Sequence, residues 1–176
     1  MAAIGKARRP VISGDSALIF VTVGAQMPFD RLVKAVDQWA GEHGRNDVFA
    51  QIGQSEFRPS HIQWTKFLDP DEFKRKYAAA RMIVAHAGTG SIITALQLGK
   101  PVLVMPRRAN LRETRNDHQV ATSEQFRRFD SVGVAWDENE LVKKLEDIDN
   151  LFGSQKIDSY ASSELVAAIR EFIDGC

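Results

Sequence analysis

Residues 82–105 restrict the fold more than any other stretch. A short apolar run, Met82 to Ala85, leads into His86-Ala87-Gly88-Thr89-Gly90-Ser91. A helical segment from Ser91 to Leu98 follows, stopped at Gly99-Lys100-Pro101, and a second apolar run fills Val102 to Met105. The order is strand, glycine-rich turn, helix, strand. Two glycines beside small residues let backbone amides approach a ligand closely. The helix start adds unpaired N–H groups and the positive end of the helix dipole. Such a turn suits a phosphate; the competing reading is a tight strand-to-helix turn in which the glycines only relieve crowding. The spacing matches neither the Walker P-loop nor the G-x-G-x-x-G dinucleotide pattern.

The same alternation runs through most of the chain. Ala17 to Val23 is β-rich and almost wholly apolar, as expected of a strand buried on both faces of a parallel sheet. The turn Gly24-Ala25-Gln26-Met27-Pro28 opens a helix over about 29–40, with Phe29, Leu32, Val33, Val36 and Ala40 on one face and Arg31, Lys34 and Asp37 elsewhere. Asp47–Ile52 reads as a second strand and His61–Phe67 as a third, exposed on one face. Asp69-Pro70 opens a helix to about Ala80, in which Phe73 and Tyr77 pair four apart. After Met105 comes a loop with four arginines, Arg107, Arg108, Arg112 and Arg115, against the single acid Glu113. A helix from Asn116 to about Phe129, a strand Val132–Trp136 and helices over 138–148 and 162–173 complete the reading. The expected class is therefore α/β, Rossmann-like, with a mainly parallel sheet flanked by helices. Ligands of such sheets sit beyond the carboxyl ends of the strands, where strand order reverses. Residues 1–15 read as a loose leader, and 16–176 as one domain.

Composition narrows the function classes. Lys plus Arg equals Asp plus Glu at 23 each, so no global field recruits nucleic acid or an anionic membrane. Basic residues interleaved with aromatics, the mark of single-strand binding, are missing as well. The single cysteine, Cys176, leaves no intramolecular disulfide and no zinc cluster, which suits a reducing compartment. No apolar run approaches the roughly 18 to 20 residues that span a bilayer. A soluble chain is expected, brought to a membrane only by a partner.

Three groups of polar residues are candidates for chemistry. His86 is either an imidazole hydrogen-bonded at a strand end or a donor to a phosphate oxygen or sugar hydroxyl. Asn116, Asp117, His118 and Gln119 are either a helix cap or a grip on vicinal hydroxyls, with Asp117 accepting twice and Gln119 both donating and accepting. The arginine loop is either solvated surface or a bidentate clamp for a diphosphate or a carboxylate. Asp117 and His118 are adjacent rather than on one helix face, and no other histidine is close in sequence, so no metal site is expected. A G-x-S-x-G nucleophile elbow is absent.

Four stretches together resemble the C-terminal domain of glycosyltransferase family 28. They are Val21–Leu32 (VTVGAQMPFDRL), Gln51–Gly53 (QIG), His86–Arg108 (HAGTGSIITALQLGKPVLVMPRR) and Asn116–Ala121 (NDHQVA). Within that family the chain looks like the small subunits of split UDP-sugar transferases, of the dolichol-linked N-acetylglucosamine type and the exopolysaccharide glucuronosyltransferase type. The resemblance implies the single donor-binding half of a GT-B glycosyltransferase, without a cofactor. Thr22, Gly24 and Gln26 would lie near the phosphates of a UDP-sugar. Gly88, Thr89, Gly90 and Ser91 would cradle the diphosphate through backbone amides, with Arg107 and Arg108 as further substrate contacts. Asp117, His118 and Gln119 would face the transferred sugar beside Asn116, and His86, Asp117 and His118 are the catalytic candidates. Many relatives bind the uridine ribose with a glutamate three residues after the loop serine. Here that position is Thr94, which leaves the ribose contact looser or made elsewhere.

It also implies a lipid-linked sugar acceptor, held by a membrane-anchored partner subunit at the cytoplasmic face, with the C-terminal amphipathic helix either docking that partner or packing on its own sheet. The arginine loop would suit a uronic acid, which favours glucuronate as the sugar. Two competing classes are a stand-alone nucleotide-sugar hydrolase or epimerase, and a non-catalytic UDP-sugar-binding module.

Overall fold

The apolar runs become the strands of one sheet. The computed structural model describes residues 18–147, 167 and 169–171; the leader expected at 1–15, and most of the closing helix expected at 162–173, lie outside them. Strands β1 (Ile19–Thr22), β2 (Val48–Gln51), β3 (Gln63–Thr65), β4 (Met82–His86), β5 (Val102–Met105) and β6 (Val132–Val134) pair in the order β3-β2-β1-β4-β5-β6. Every pairing is parallel. The expected Rossmann-like class is the one observed. From β1 the chain steps outward through β2 to β3, then returns to the other side of β1 and steps outward again through β4, β5 and β6. Strand order therefore reverses between β1 and β4, which is where open α/β sheets bind their ligands.

Helices cover both faces, so the strands are apolar at successive positions rather than alternate ones. On one face α1 (Asp30–Glu42) and α5 (Glu138–Glu146) pack Leu32, Val33, Val36, Trp39, Leu141 and Leu145 against Ile19, Val21, Ala50 and Val84. On the other, α2 (Pro70–Ala79), α3 (Thr89–Gln97) and α4 (His118–Phe126) pack Tyr77, Ile92, Leu96 and Phe126 against Phe20, Ile83, Ala85 and Val104. The period of two along β1 is visible in this division, since Ile19 and Val21 face α1 while Phe20 faces α2. Phe73 and Tyr77 form the expected pair, with ring centroids 5.3 Å apart, and both rings meet Phe20 edge-on. Ile169, from the closing helix, packs against this second core. Among the described residues, no helix is long and apolar enough to cross a membrane.

Helix starts differ in a way that bears on the site. Asp69 caps α2 by accepting from the amides of Asp71 and Glu72, at 3.0 and 2.9 Å, and Asp137 caps α5 through the amide of Glu140 at 2.9 Å. α3 starts at Thr89, two residues before the expected Ser91, with Gly88 as its N-cap and no side-chain cap for its first amides. The expected helix from Asn116 starts instead at His118, and a 3₁₀ turn (Ala109–Leu111) occupies part of the arginine loop.

Two side chains that lie off the apolar face of α1 are not solvated. Asp37 is only 4% exposed. Its carboxylate accepts the backbone N–H groups of Ser60, His61 and Ile62 at 3.0, 2.8 and 3.2 Å. The cause is the connection from β2 to β3, which holds no helix among the described elements and passes over α1 as a loop. The loop's amides need acceptors there, and α1 supplies them; Asp30 does the same for the Ser55 hydroxyl. Arg31 is the second. It meets Glu113 twice, at 2.7 and 2.9 Å, and Glu138 at 3.0 Å, tying α1 to the arginine loop and to α5. Burial disfavours its charge, but the hydrogen bonds and negative charges of the two glutamates outweigh that and raise its pKa.

Replacing Asp37 by Ala strands three amides at once. Urea unfolding of Asp37→Ala is expected to show a loss of about 2 to 3 kcal/mol, the scale for buried bonds to a charged group. A loss below about 0.5 kcal/mol would mean that the 53–62 loop is held in some other way.

Candidate functional site

The carboxyl ends of β1 and β4 each lead directly into a glycine turn, and the two turns face one another across the reversal of strand order. In the first turn Gly24 has φ +76°, a left-handed conformation in which a side chain would be strained. Its N–H donates to the Thr22 hydroxyl at 3.2 Å, and Thr22 itself is buried. The next three amides, of Ala25, Gln26 and Met27, donate to no acceptor among the described residues. In the second turn Gly88 N–H folds back to the His86 carbonyl at 2.8 Å. The amides of Thr89, Gly90 and Ser91 then form the open first turn of α3, again with no acceptor among the described residues. The buried Tyr77 hydroxyl fixes this turn from below by donating to the Ser91 carbonyl at 2.6 Å. Thr94 spends its hydroxyl on the Gly90 carbonyl at 2.8 Å. Two runs of three unpaired amides thus border one crevice, and the second lies at the positive end of a helix dipole.

His86 stands between the two turns. A Cβ on Gly24 would come within 2.7 Å of its Cε1, and a Cβ on Gly88 would fall well inside contact distance of its Nε2. Both glycines are therefore needed so that two backbones can flank one imidazole. Burial pushes the His86 pKa down to about 4; the charges of Arg107 and His118 push the same way, and only the Thr22 backbone opposes them. The ring is neutral at pH 7, with one nitrogen able to donate and one to accept. Its Nδ1 is buried and makes no hydrogen bond of good geometry among the described residues.

The remaining candidates form a second group against the first. Arg107 is 5% exposed, and its guanidinium donates to the carbonyls of Val23 at 2.8 Å and Met27 at 2.6 Å. It also lies over the Phe29 ring, 5.0 Å from the centroid, and burial lowers its pKa to about 10 against the opposing charge of Glu113. Arg108 donates from its side chain to the Trp136 carbonyl at 2.9 Å, and from its amide to Glu113 at 3.0 Å. Gln119, 4% exposed, accepts the Arg107 amide at 3.1 Å, while the exposed Asp117 accepts the Ala109 amide at 2.8 Å. Asp117 is the N-cap residue of α4, yet its carboxylate caps the 3₁₀ turn rather than its own helix. Asn116 meets the His118 ring at Nδ1, and both are exposed. Arg112 and Arg115 are exposed too.

Thr22, Gly24, His86, Gly88 and Arg107 thus converge directly. Asn116 to Gln119 lie beside them, joined through the Gln119–Arg107 contact. Gln26 and Ser91 lie on the two turns with no side-chain hydrogen bond among the described residues. Phe29, Arg31, Tyr77 and Glu113 had no assigned part in the site, and all four hold its loops. Glu113 alone carried a signal, as the one acid among four arginines.

A proton on His86 costs more in the folded chain than in the unfolded one. Between pH 6.5 and about 4 the unfolded state holds more protons at this position, so its contribution to stability is complete above 6.5 and is lost as pH falls towards 4. An NMR titration of the ring is expected to show it neutral throughout that window. A midpoint near 6.5 would place the imidazole in water instead.

Comparison with known proteins adds to this geometry. The model of the glycosyltransferase family 28 C-terminal domain matches residues 18–166. The UDP-N-acetylglucosamine transferase subunit ALG13 of Yarrowia lipolytica is 26% identical over 137 residues, covering 68% of this chain and 65% of that protein. The subunit of the same name from Homo sapiens is 30% identical over 118 residues, 61% of this chain but 10% of that protein. The chain therefore spans less than two thirds of the length of these curated relatives. Among solved structures, the NMR solution structure of ALG13 has a TM-score of 0.59 at 19% identity, covering 88% of this chain and 94% of that one. MurG of Acinetobacter baumannii has 0.63 at 15% identity, covering 93% of this chain and 51% of its own. These likenesses share the fold, and the family match extends over most of the length: the chain belongs to the glycosyltransferase family 28 C-terminal domain family.

Proposed function

We propose that this chain is the donor-binding catalytic subunit of an inverting, metal-independent UDP-sugar glycosyltransferase acting on a lipid-linked acceptor in polysaccharide synthesis. The observation that carries the reading is the pair of unpaired amide runs, 25–27 and 89–91, on either side of a neutral imidazole. A nucleotide diphosphate is the ligand class that six such donors suit, because it presents acceptor oxygens along its length. The sugar's bond from C1 to the β-phosphate oxygen breaks as an acceptor hydroxyl oxygen bonds C1 from the opposite face and gives its proton to a base supplied with the acceptor. Negative charge then grows on the departing UDP. Fixed amides stabilise that charge without reorganising, and removing one such donor typically costs about 2.7 to 4 kcal/mol of barrier. His86, neutral, can add a hydrogen bond without the desolvation cost of a buried cation. Asp117 keeps lone pairs beyond the one given to Ala109, and with His118 it faces the sugar.

The name of the curated relatives, a transferase subunit, supports a second polypeptide. In this reading that polypeptide brings the acceptor and anchors the pair at the inner face of a membrane. That name also favours UDP-N-acetylglucosamine as the donor. UDP-glucuronate is the second reading, and it rests on Arg112 and Arg115, exposed in the arginine loop, as partners for a carboxylate.

Calorimetry with UDP tests the site. Gly88→Ala puts a methyl group into His86, and is expected to weaken UDP binding at least about tenfold, or 1.4 kcal/mol, with the circular dichroism spectrum unchanged. Equal affinity would remove the 86–91 turn from the site. Turnover separates the classes: the purified chain alone is expected to leave UDP-sugars intact and to transfer only with its partner. Release of free sugar by the chain alone would favour a hydrolase. Cells that keep their polysaccharide after loss of both Asp117 and His118 side chains would favour a binding module.

A further inference from the structure

Arg107 stands in the loop that follows β5, yet both hydrogen bonds of its guanidinium go to the turn after β1. Its two acceptors, the carbonyls of Val23 and Met27, bound the peptides that carry the free amides of Ala25, Gln26 and Met27. In a trans peptide the C=O and the following N–H point in opposite directions. Turning the Val23 carbonyl towards Arg107 therefore turns the Gly24 amide away from it, and that amide is found on the Thr22 hydroxyl. With the carbonyls at both ends of the turn held, the three peptides between them have little freedom left. The arginine is itself held. Its own amide is bonded to Gln119, and its guanidinium lies over Phe29, the residue that leads into α1. Both hydrogen bonds come from one terminal nitrogen, Nη2, which a ligand would have to take from two backbone carbonyls.

We propose that Arg107 is a positioning residue of the donor site: it holds the Val23–Met27 turn by the carbonyls at its two ends, and acts on the nucleotide sugar only through that turn. This rests on the reading of the turn as an anion-binding loop, and it removes Arg107 from the groups that touch the donor. A guanidinium that bound phosphate directly would be needed only when ligand is present. A brace is needed in the free protein as well.

The test compares the parent with Arg107→Met and Arg107→Lys, using ¹⁵N relaxation without ligand and calorimetry with UDP. In ligand-free Arg107→Met the order parameters of Gly24, Ala25 and Gln26 are expected to fall to the range of a flexible loop, below about 0.6, while those of 89–91 hold. UDP affinity is expected to fall at least tenfold. Guanidinium chloride at millimolar concentration is expected to restore part of both, which a loss of general stability would not allow. Arg107→Lys, with one amine for two carbonyls, is expected to lie between, and carries the test if the Met variant does not fold. An unchanged free turn with lost affinity would overturn the proposal in favour of direct contact. A loosened turn with unchanged affinity would overturn it as well. If the parent does not bind UDP, the donor reading fails, and the ligand-free relaxation still decides whether Arg107 orders the turn.

Discussion

Backbone amides that have no acceptor among the described residues are the constraint on which the rest of this structure turns. They arise because β1 and β4 are neighbours whose following helices leave for opposite faces, α1 to one and α3 to the other. Neither turn can pair with the other, and the crevice between them stays lined with donors. Most of the polar side chains nearby are occupied in keeping it so. Thr22 takes the amide of Gly24, Tyr77 holds the Ser91 carbonyl, and Gly88 offers no side chain that could cap α3. An Asn or Asp at position 88 would satisfy α3 locally, as Asp69 does for α2, and would fill the place an anion should take.

The charges around the crevice follow the same logic. Phe29 lies between two guanidinium groups, Arg31 at 5.3 Å and Arg107 at 5.0 Å from its centroid. Glu113 and Glu138 answer the first, and backbone carbonyls answer the second. Formal cations are thus compensated next to the site, and a neutral His86 stands at its centre. In a chain whose total charge is zero, backbone dipoles supply positive potential at the crevice.

Much of this could be read from residue order, and what could not has a common cause. The parallel sheet was legible because strands covered on both faces are apolar at every position, and the glycine turns because little else needs Gly beside small residues after a strand. His86, Gly24 and Gly88 stand out in residue order alone, and the fold brings the three together. The partners of Arg31 and Asp37 are not legible because helical periodicity says which face meets the sheet, and nothing about a loop laid over the other face. Arg107, Asp117 and Gln119 show the same limit at the site. Each type is as suited to a carbonyl or amide of its own chain as to a substrate, and only the folded neighbours, Val23, Met27, Ala109 and the Arg107 amide, show where those bonds go. The start of α3 was drawn two residues late because Thr89 and Gly90 are poor helix formers, whereas the position is set by Tyr77 and the return of the chain from His86.

The sheet's two borders, β3 and β6, are each three residues long, while the strands within run to four or five. A border strand normally invites foreign chains, since half its backbone groups look outward. Here that invitation extends over barely one repeat of hydrogen bonds at either side, too little to seat a stranger. Sheet-to-sheet clumping is thereby discouraged, and recognition is left to the crevice in the middle.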